Sequence, residues 1–197
     1  ADTGFFVADE SAMALGESDL VESAKFLLGR LDRLQPNDPL DIIIREAVVS
    51  GIGNFRNDQA IDYFVKNGLK DLKDYTMAAA VARGLGLTRS PMAATPLRLL
   101  LPAKSPKGDE ETYEIRRAAL QALGDLGDPT TLDAVKPYVD APDVRIQVAA
   151  LKAIGGIGAE EGIAIAAAKL ASPDVQVKYA AAEALFRIRM EGSIEPL

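Results

Sequence analysis

Apolar residues recur along this chain at helical spacing, and the run "IRRAALQALGDLGDP" (115–129) shows the pattern clearly. Its apolar positions fall at i, i+3, i+4, i+7 and i+8, which places them on one face of an α-helix. A second, shorter apolar stripe follows after a Gly- and Asp-rich break, at Leu132, Val135 and Val139. The pattern therefore predicts two consecutive amphipathic helices.

The same pattern returns along most of the sequence. The run at 115 recurs as "IQVAALKAIGGIGAE" (146–160) and "VKYAAAEALFRI" (177–188), each shifted by 31 residues. Earlier copies are "AAAVARGLGLTRSP" (78–91), "IREAVVSGIGNFRND" (44–58) and, more weakly, "FVADESAMALGE" (6–17). Recurrence at a fixed period is the signature of a repeat protein, in which each helix pair completes its core with its neighbours.

The predicted fold is all-α: an alpha-alpha superhelix of about five helix pairs plus a final helix, forming one domain over residues 1–197. The alternative, a closed helix bundle, does not explain why sequence recurs as well as helices. The predicted repeats are 2–36, 37–72, 73–102, 112–141, 142–172 and the half repeat 173–190. The segment "PAKSPKGDEE" (102–111) departs from the period and is predicted to be an insertion loop.

Each first helix is predicted to end at a recurring glycine. These glycines are expected to take the left-handed conformation of a helix C-cap, rather than to form a ligand-binding loop. Asp128, Asp143 and Asp174 are predicted to cap the helices that follow them. Stacking of neighbouring first helices is assigned to alanines such as Ala118 and Ala150. The recurring glycines are Gly16, Gly53, Gly86, Gly124 and Gly155, with Phe186 in the sixth place.

The motif "D-V-x-[IV]-x-x-A-A-x-x-A-[LI]" at 143–154 and 174–185, with "[LI]-G-[DA]" at 126–128 and 157–159, resembles the HEAT-repeat families. It is most similar to the short bacterial type called PBS-lyase HEAT-like repeats. The resemblance implies an α-solenoid that acts as a scaffold or binding module. One branch of the family attaches or removes bilin chromophores. The family's basic position near the start of the first helix is kept at Arg45, Arg116 and Lys178, where a structural role is expected.

Composition narrows the chemistry further. The chain has no histidine, cysteine or tryptophan, which excludes thiol nucleophiles, imidazole bases, disulfides and His or Cys metal ligands. A net charge of −7 disfavours nucleic acid as a partner. No cofactor, metal or membrane insertion is expected. Since the sequence starts at Ala1, it fits a processed chain or an excised domain, so the cytoplasm and, after signal cleavage, the periplasm both remain open.

Candidate binding residues lie on the second helices, which are expected to line the concave side of the solenoid. Acidic and basic positions three or four residues apart would form a mixed-charge groove for a protein segment. The alternative is a solvated helix face with weak ion pairs. The predicted partner-binding residues are Glu22, Lys25, Asp62, Lys66, Arg98, Asp133 and Lys136, together with Tyr113 beside the insertion loop.

The terminal units also expose apolar residues that need a cover, among them Phe5, Phe6 and Phe26 at one end and Phe186, Ile188 and Met190 at the other. An uncapped end favours a homo-oligomer or excision from a longer array.

These observations favour a non-catalytic adaptor that binds a protein through its concave face, the insertion loop or its ends. The alternative is a bilin-lyase-like enzyme or chaperone acting on a chromophore-bearing protein, which would have to use Asp, Glu, Tyr, Lys or Arg. A third reading, DNA binding through a concave face, conflicts with the charge.

Overall fold

The computed structural model describes residues 2–35, 38–69, 75–102 and 109–191, and all regular structure in these ranges is helical. Successive helices form five pairs and a final single helix, so the predicted fold class is confirmed. The helices are α1 (Asp2–Glu17), α2 (Val21–Leu31), α3 (Pro39–Gly53), α4 (Asp58–Gly68), α5 (Tyr75–Leu87), α6 (Ala94–Leu100), α7 (Asp109–Leu126), α8 (Leu132–Val135), α9 (Val144–Ile157), α10 (Glu161–Lys169) and α11 (Val175–Glu191).

Short 3₁₀ turns extend two of the second helices. Pro91–Ala93 precedes α6, while Pro129–Thr131 and Lys136–Asp140 flank α8. Proline suits these positions because the first residues of a helix have no partner for their N–H groups. Helix α7 begins at Asp109, so the last three residues of the predicted loop 102–111 are helical. Residues 103–108 of that loop lie outside the described residues.

The predicted aspartate caps are present. The Asp128 carboxylate accepts a hydrogen bond from the Thr130 N–H, and the Asp143 carboxylate accepts one from the Arg145 N–H. Asp174 accepts from the N–H groups of Gln176 and Val177 at the start of α11. Each bond satisfies a backbone donor that the helix itself leaves unpaired.

The recurring glycines are placed differently from the prediction. They lie inside the first helices, or at their last residues, and none has positive φ; the left-handed residues come three positions later, at Asp19, Arg89, Gly127 and Gly158. A Cβ added at Gly86 would lie 2.5 Å from the Ala122 carbonyl oxygen, and one at Gly124 would lie 2.9 Å from the Ala153 Cα. The prediction of C-caps was therefore wrong: these glycines let neighbouring first helices approach backbone to backbone.

The two sets of helices consequently pack in different ways. Each first helix contacts the next one extensively along the whole series α1, α3, α5, α7, α9 and α11. Among the second helices, α6 packs on α7 and α10 on α11, whereas α2 and α4 also pack on each other. The first helices therefore form the more tightly stacked layer.

The core lies between the two layers. Phe55 and Phe64 are fully buried there, with ring centroids 5.2 Å apart in an edge-to-face arrangement. Ala118, Ala150 and Ala180 are also fully buried in the first-helix layer. One apolar core thus continues from repeat to repeat.

Two of the three predicted basic positions have the expected structural role. The Arg45 guanidinium donates to the Gln35 carbonyl oxygen at 3.2 Å, and that of Arg116 donates to the Leu101 carbonyl oxygen at 2.8 Å. Gln147, at the same position in α9, donates to the Ala141 carbonyl oxygen at 2.7 Å. Each bond ties a first helix to the end of the preceding helix pair. Lys178, at this position in α11, is exposed.

Candidate binding groove

A cavity of about 550 Å³ opens on the first-helix layer across α7, α9 and α11. It crosses three successive repeats, so no single helix pair forms it. The lining side chains come from the solvent-facing sides of these helices: Tyr113, Arg117, Gln121, Gly124, Asp125, Arg145, Val148, Ala149, Lys152, Ala153, Gln176 and Arg187. We call this cavity the α7–α9–α11 groove.

Small residues form the middle of the groove, and longer polar residues surround them. Gly124, Ala149 and Ala153 belong to the same stack of small side chains that brings α7 and α9 together. Close helix packing leaves little room for large side chains at these positions. The middle of the groove is therefore a floor of small residues, in which Gly124 and Ala153 are buried and Ala149 is half-buried.

Asp125 provides the single carboxylate among these lining residues. Partial burial raises its pKa above the ordinary value, and the positive charges of Arg187, Arg83 and Arg89 oppose that rise. Within the described part of the chain, its carboxylate makes no ion pair or hydrogen bond. It is therefore an acceptor that remains available in the groove.

Four cations line the same groove. Arg117 pairs with Glu114 on its own helix at 2.7 Å. Lys152 lies 3.9 Å from Glu183 of the next first helix, a loose pair whose lysine is half exposed. Arg187 is exposed and, among the described residues, has no ion pair within 4.0 Å. The fourth cation, Arg145, lies at the edge.

At the edge of the groove, Arg145 stacks on Tyr113. The guanidinium carbon lies 3.8 Å from the ring centroid, close enough for a cation–π interaction. Arg145 also pairs with Asp143 at 2.8 Å and Glu110 at 3.0 Å. The hydrogen bonds that Arg145 donates to these carboxylates raise its pKa, and burial raises the pKa of the Tyr113 hydroxyl. This cluster joins the start of α7 to the start of α9.

A cross-helix ion pair continues the polar face toward the N-terminus. Arg83 of α5 contacts both carboxylate oxygens of Glu46 in α3, one of them at 2.8 Å. The hydrogen bond from Arg83 holds the pKa of Glu46 below its ordinary value, although burial acts the other way. The first-helix face thus carries ion pairs between repeats.

The predicted residues on the second helices form short-range pairs, most of them within one helix. Lys25 lies 3.8 Å from Glu22 in α2, and Lys66 lies 2.7 Å from Asp62 in α4. Lys136 lies 2.7 Å from Asp133, and Arg98 donates to the Thr95 hydroxyl at 3.1 Å. Of the eight predicted residues, Tyr113 alone lines the α7–α9–α11 groove. Whether the other seven bind a partner stays a prediction.

Sequence reasoning placed the binding face on the second helices and so missed Arg117, Asp125, Lys152 and Arg187. A signal was present for two of them, because Asp125 and Arg187 both come directly after the recurring glycine position of their repeat. Arg117 and Lys152 share no repeat position with one another or with these two, so only the packing of the three helices brings them together.

The two ends expose some of the predicted apolar residues. Phe26 is 63% exposed and Phe186 is 65% exposed, whereas Ile188 is buried against the core. The side chains of Phe5, Phe6 and Met190 lie outside the described residues. On the open face of α11, Val175 and Tyr179 are exposed as well.

The described residues form no helix that is long and apolar enough to cross a bilayer. They also contain no group of three or more acidic side chains placed to hold a metal ion.

Residues 106–186 match the family model described as HEAT repeats. The match covers the repeats in which the motif was recognised and confirms it there. The chain is also similar, at 26% identity and a TM-score of 0.58, to a chain in the structure of the complex of CpcE and CpcF of phycocyanin lyase from Nostoc sp. PCC7120. That similarity covers 83% of this chain and 65% of the other, so this chain spans less than two thirds of the length of that relative.

Two other solved structures are also similar to this chain. One is an engineered protein, at 18% identity and a TM-score of 0.48, covering 92% of this chain and 90% of the other. The second is a designed armadillo repeat protein in complex with the peptide (KR)4, at 16% identity and a TM-score of 0.47, covering 91% of each chain. No curated protein matches this chain.

Proposed function

We propose that this protein is a non-catalytic interaction module that binds a segment of another protein in the α7–α9–α11 groove. The observation that carries the proposal is the groove itself, in which charged side chains from three repeats surround a middle of small residues. Such a surface offers backbone-level contact together with polar groups that select a ligand. This proposal puts the interface on the first helices, whereas the sequence pattern had favoured the second helices.

The available chemistry supports binding rather than catalysis. General acid–base catalysis by carboxylates needs two of them converging on the substrate with different pKa values. The described groove lining supplies one carboxylate, Asp125, and no histidine or cysteine exists in the chain. Its cations and its tyrosine are groups that also recognise protein segments.

Site-specific photocrosslinking tests the proposal. A photoreactive amino acid replaces exposed Gln121 in the groove, and a matched variant carries it at Lys66 on a second helix. In extract from the source cells, we expect a discrete protein adduct from position 121 that Lys152→Ala/Arg187→Ala weakens. A discrete adduct from position 66 alone would return the interface to the second helices, and no adduct from either would contradict a protein-binding role.

A bilin-lyase-like enzyme or chaperone is the second candidate. The similarity to the phycocyanin lyase complex, at 26% identity over 83% of this chain, is the observation that favours it. Mixing the purified protein with a free bilin would give a shift in the bilin absorbance at micromolar concentrations if this candidate is correct. An unchanged spectrum would reject it and leave the interaction module.

A further inference from the structure

The charge of the groove differs from that of the chain as a whole. The chain carries a net charge of −7, yet the groove lining holds four cations and one carboxylate. Charge complementarity at an interface selects partners and speeds association. The carboxylates that pair with these cations, Glu110, Glu114, Asp143 and Glu183, lie beside the groove, so its basic character comes from the cations that they leave unpaired or loosely paired.

Two of the four cations are available to a ligand. Arg117 and Arg145 are engaged by close carboxylates, Glu114 for the first and Asp143 and Glu110 for the second. Lys152 has only the loose contact with Glu183 at 3.9 Å, and Arg187 has no ion pair among the described residues. Lys152 and Arg187 belong to neighbouring first helices, α9 and α11, so together they make one side of the groove basic.

The groove has the reach of a short extended peptide. Packed helices lie about 8–10 Å apart, so a segment crossing three of them covers roughly 20–25 Å. An extended chain advances about 3.3 Å per residue, which corresponds to about seven or eight residues. One or two acidic side chains in such a segment could reach Lys152 and Arg187 at the same time.

We infer that the groove binds an extended, acidic segment of a partner protein, with carboxylates of that segment on Lys152 and Arg187. The inference rests on the proposed function and adds the chemistry of the partner. A basic segment would place like charges against both residues. Nucleic acid, which carries a charge on every phosphate along its length, fits less well because the chain as a whole has a net charge of −7.

Fluorescence anisotropy with labelled peptides of about eight residues tests the inference directly. Three peptides of equal length carry alternating Ala with Glu, Gln or Lys, and a single-stranded oligonucleotide serves as the fourth probe. We expect the Glu peptide to bind best, with an affinity that falls as salt is added. Tighter binding of the Lys peptide, the Gln peptide or the oligonucleotide would overturn the inference.

Substitutions identify the residues responsible. Lys152→Ala and Arg187→Ala should each weaken the Glu peptide about threefold, and together about tenfold. The matched controls Lys66→Ala and Arg98→Ala remove the same side chains from the second helices and should leave binding unchanged. Asp125→Asn removes the one lining carboxylate and should tighten binding about twofold.

Other results separate this inference from the proposed function. Each variant is checked by circular dichroism and thermal melting, because the substituted side chains are at the surface and should not affect folding. If controls and groove variants weaken the Glu peptide equally, the assignment to Lys152 and Arg187 is wrong. If no peptide binds but position 121 still crosslinks to a protein, the acidic chemistry is wrong and the groove remains an interface. If no peptide binds and position 121 gives no protein adduct, the proposed function is rejected as well.

Discussion

The two helix layers of this protein contain similar residue types but use them differently. In the first-helix layer, buried glycines sit against the backbone of the next helix, and ion pairs such as Arg83–Glu46 join one repeat to another. In the second-helix layer, Gly29 has open space around it, and pairs such as Lys66–Asp62 stay within one helix. In the first layer the helix backbones themselves meet from repeat to repeat, whereas in the second layer the link between repeats seen near the C-terminus is a side-chain ion pair, Lys169 with Asp140.

This difference also explains where the groove forms. Tight stacking requires small side chains at the helix contacts, and those residues leave a shallow middle bordered by Arg, Lys and Asp. A binding surface that spans several repeats is thus a by-product of the packing that holds the repeats together.

The largest effect that would test the comparison is expected at Gly86. Gly86→Val adds three carbons where even a Cβ would lie 2.5 Å from the Ala122 carbonyl oxygen. Overpacking of this kind should lower the free energy of unfolding by about 3 kcal/mol, measured by urea denaturation.

Gly29→Ala is the matched control in α2, where nothing lies within 4 Å of an added Cβ. Because alanine favours a helix over glycine, this variant should be more stable by about 0.5–1 kcal/mol. The two expected changes in the free energy of unfolding have opposite signs, so if both glycine variants shift stability in the same direction, the two layers do not differ as described.

A smaller effect is expected at Arg116, which ties α7 to the preceding helix pair. Arg116→Met keeps much of the aliphatic stem but removes the hydrogen bond to the Leu101 carbonyl oxygen and the contact with the Tyr138 ring, 5.5 Å from its centroid. We expect a loss of about 2 kcal/mol in urea denaturation. Lys178→Met changes the matching exposed position in α11 and should shift stability by less than about 0.5 kcal/mol.

The ion pairs of the two layers should differ in strength. Glu46→Gln weakens the pair between α3 and α5 and should cost about 0.5–1 kcal/mol at neutral pH, whereas Asp62→Asn in α4 should cost less than about 0.5 kcal/mol. Because Arg83 lowers the pKa of Glu46, the stabilisation is complete above the unfolded-state value and is lost as the pH falls through the lowered pKa.

Urea midpoints for the native protein and Glu46→Gln, compared between neutral and acidic pH, measure this effect. Their difference should shrink as the pH is lowered. A difference that stays constant with pH would mean that the pair between the repeats contributes no charge-dependent stability.

The smallest effect is expected at Asp125. Since burial raises its pKa in the folded protein, the folded state binds a proton more readily than the unfolded state, and stability falls as the pH rises between the two pKa values. Asp125→Asn should therefore stabilise the protein slightly at neutral pH, by less than about 0.5 kcal/mol, with the gain vanishing in acid. If thermal melts show that Asp125→Asn is less stable than the native protein at neutral pH, the attraction of Arg83, Arg89 and Arg187 to the Asp125 carboxylate outweighs the cost of burying it.

Much of the fold was readable from the sequence because the responsible interactions are local. Periodic apolar positions predicted the helix pairs, and the carboxylates of Asp128, Asp143 and Asp174 predicted helix starts. A cap or an amphipathic face depends on residues within a few positions of one another, so a linear pattern contains it. The family match over residues 106–186 agrees with the repeat that this pattern revealed.

The tertiary structure decided the features that depend on distances between repeats. Glycine is suited both to a left-handed turn and to a close contact between helices. Sequence reasoning assigned Gly124 to a left-handed turn, whereas its contact with Ala153 shows that it lies at a close helix contact. The same contacts place the tightly stacked layer, and hence the groove, on the first helices. Asp125 and Arg187, 62 positions apart in the chain, share a groove because three helices stack closely enough to bring them to one surface.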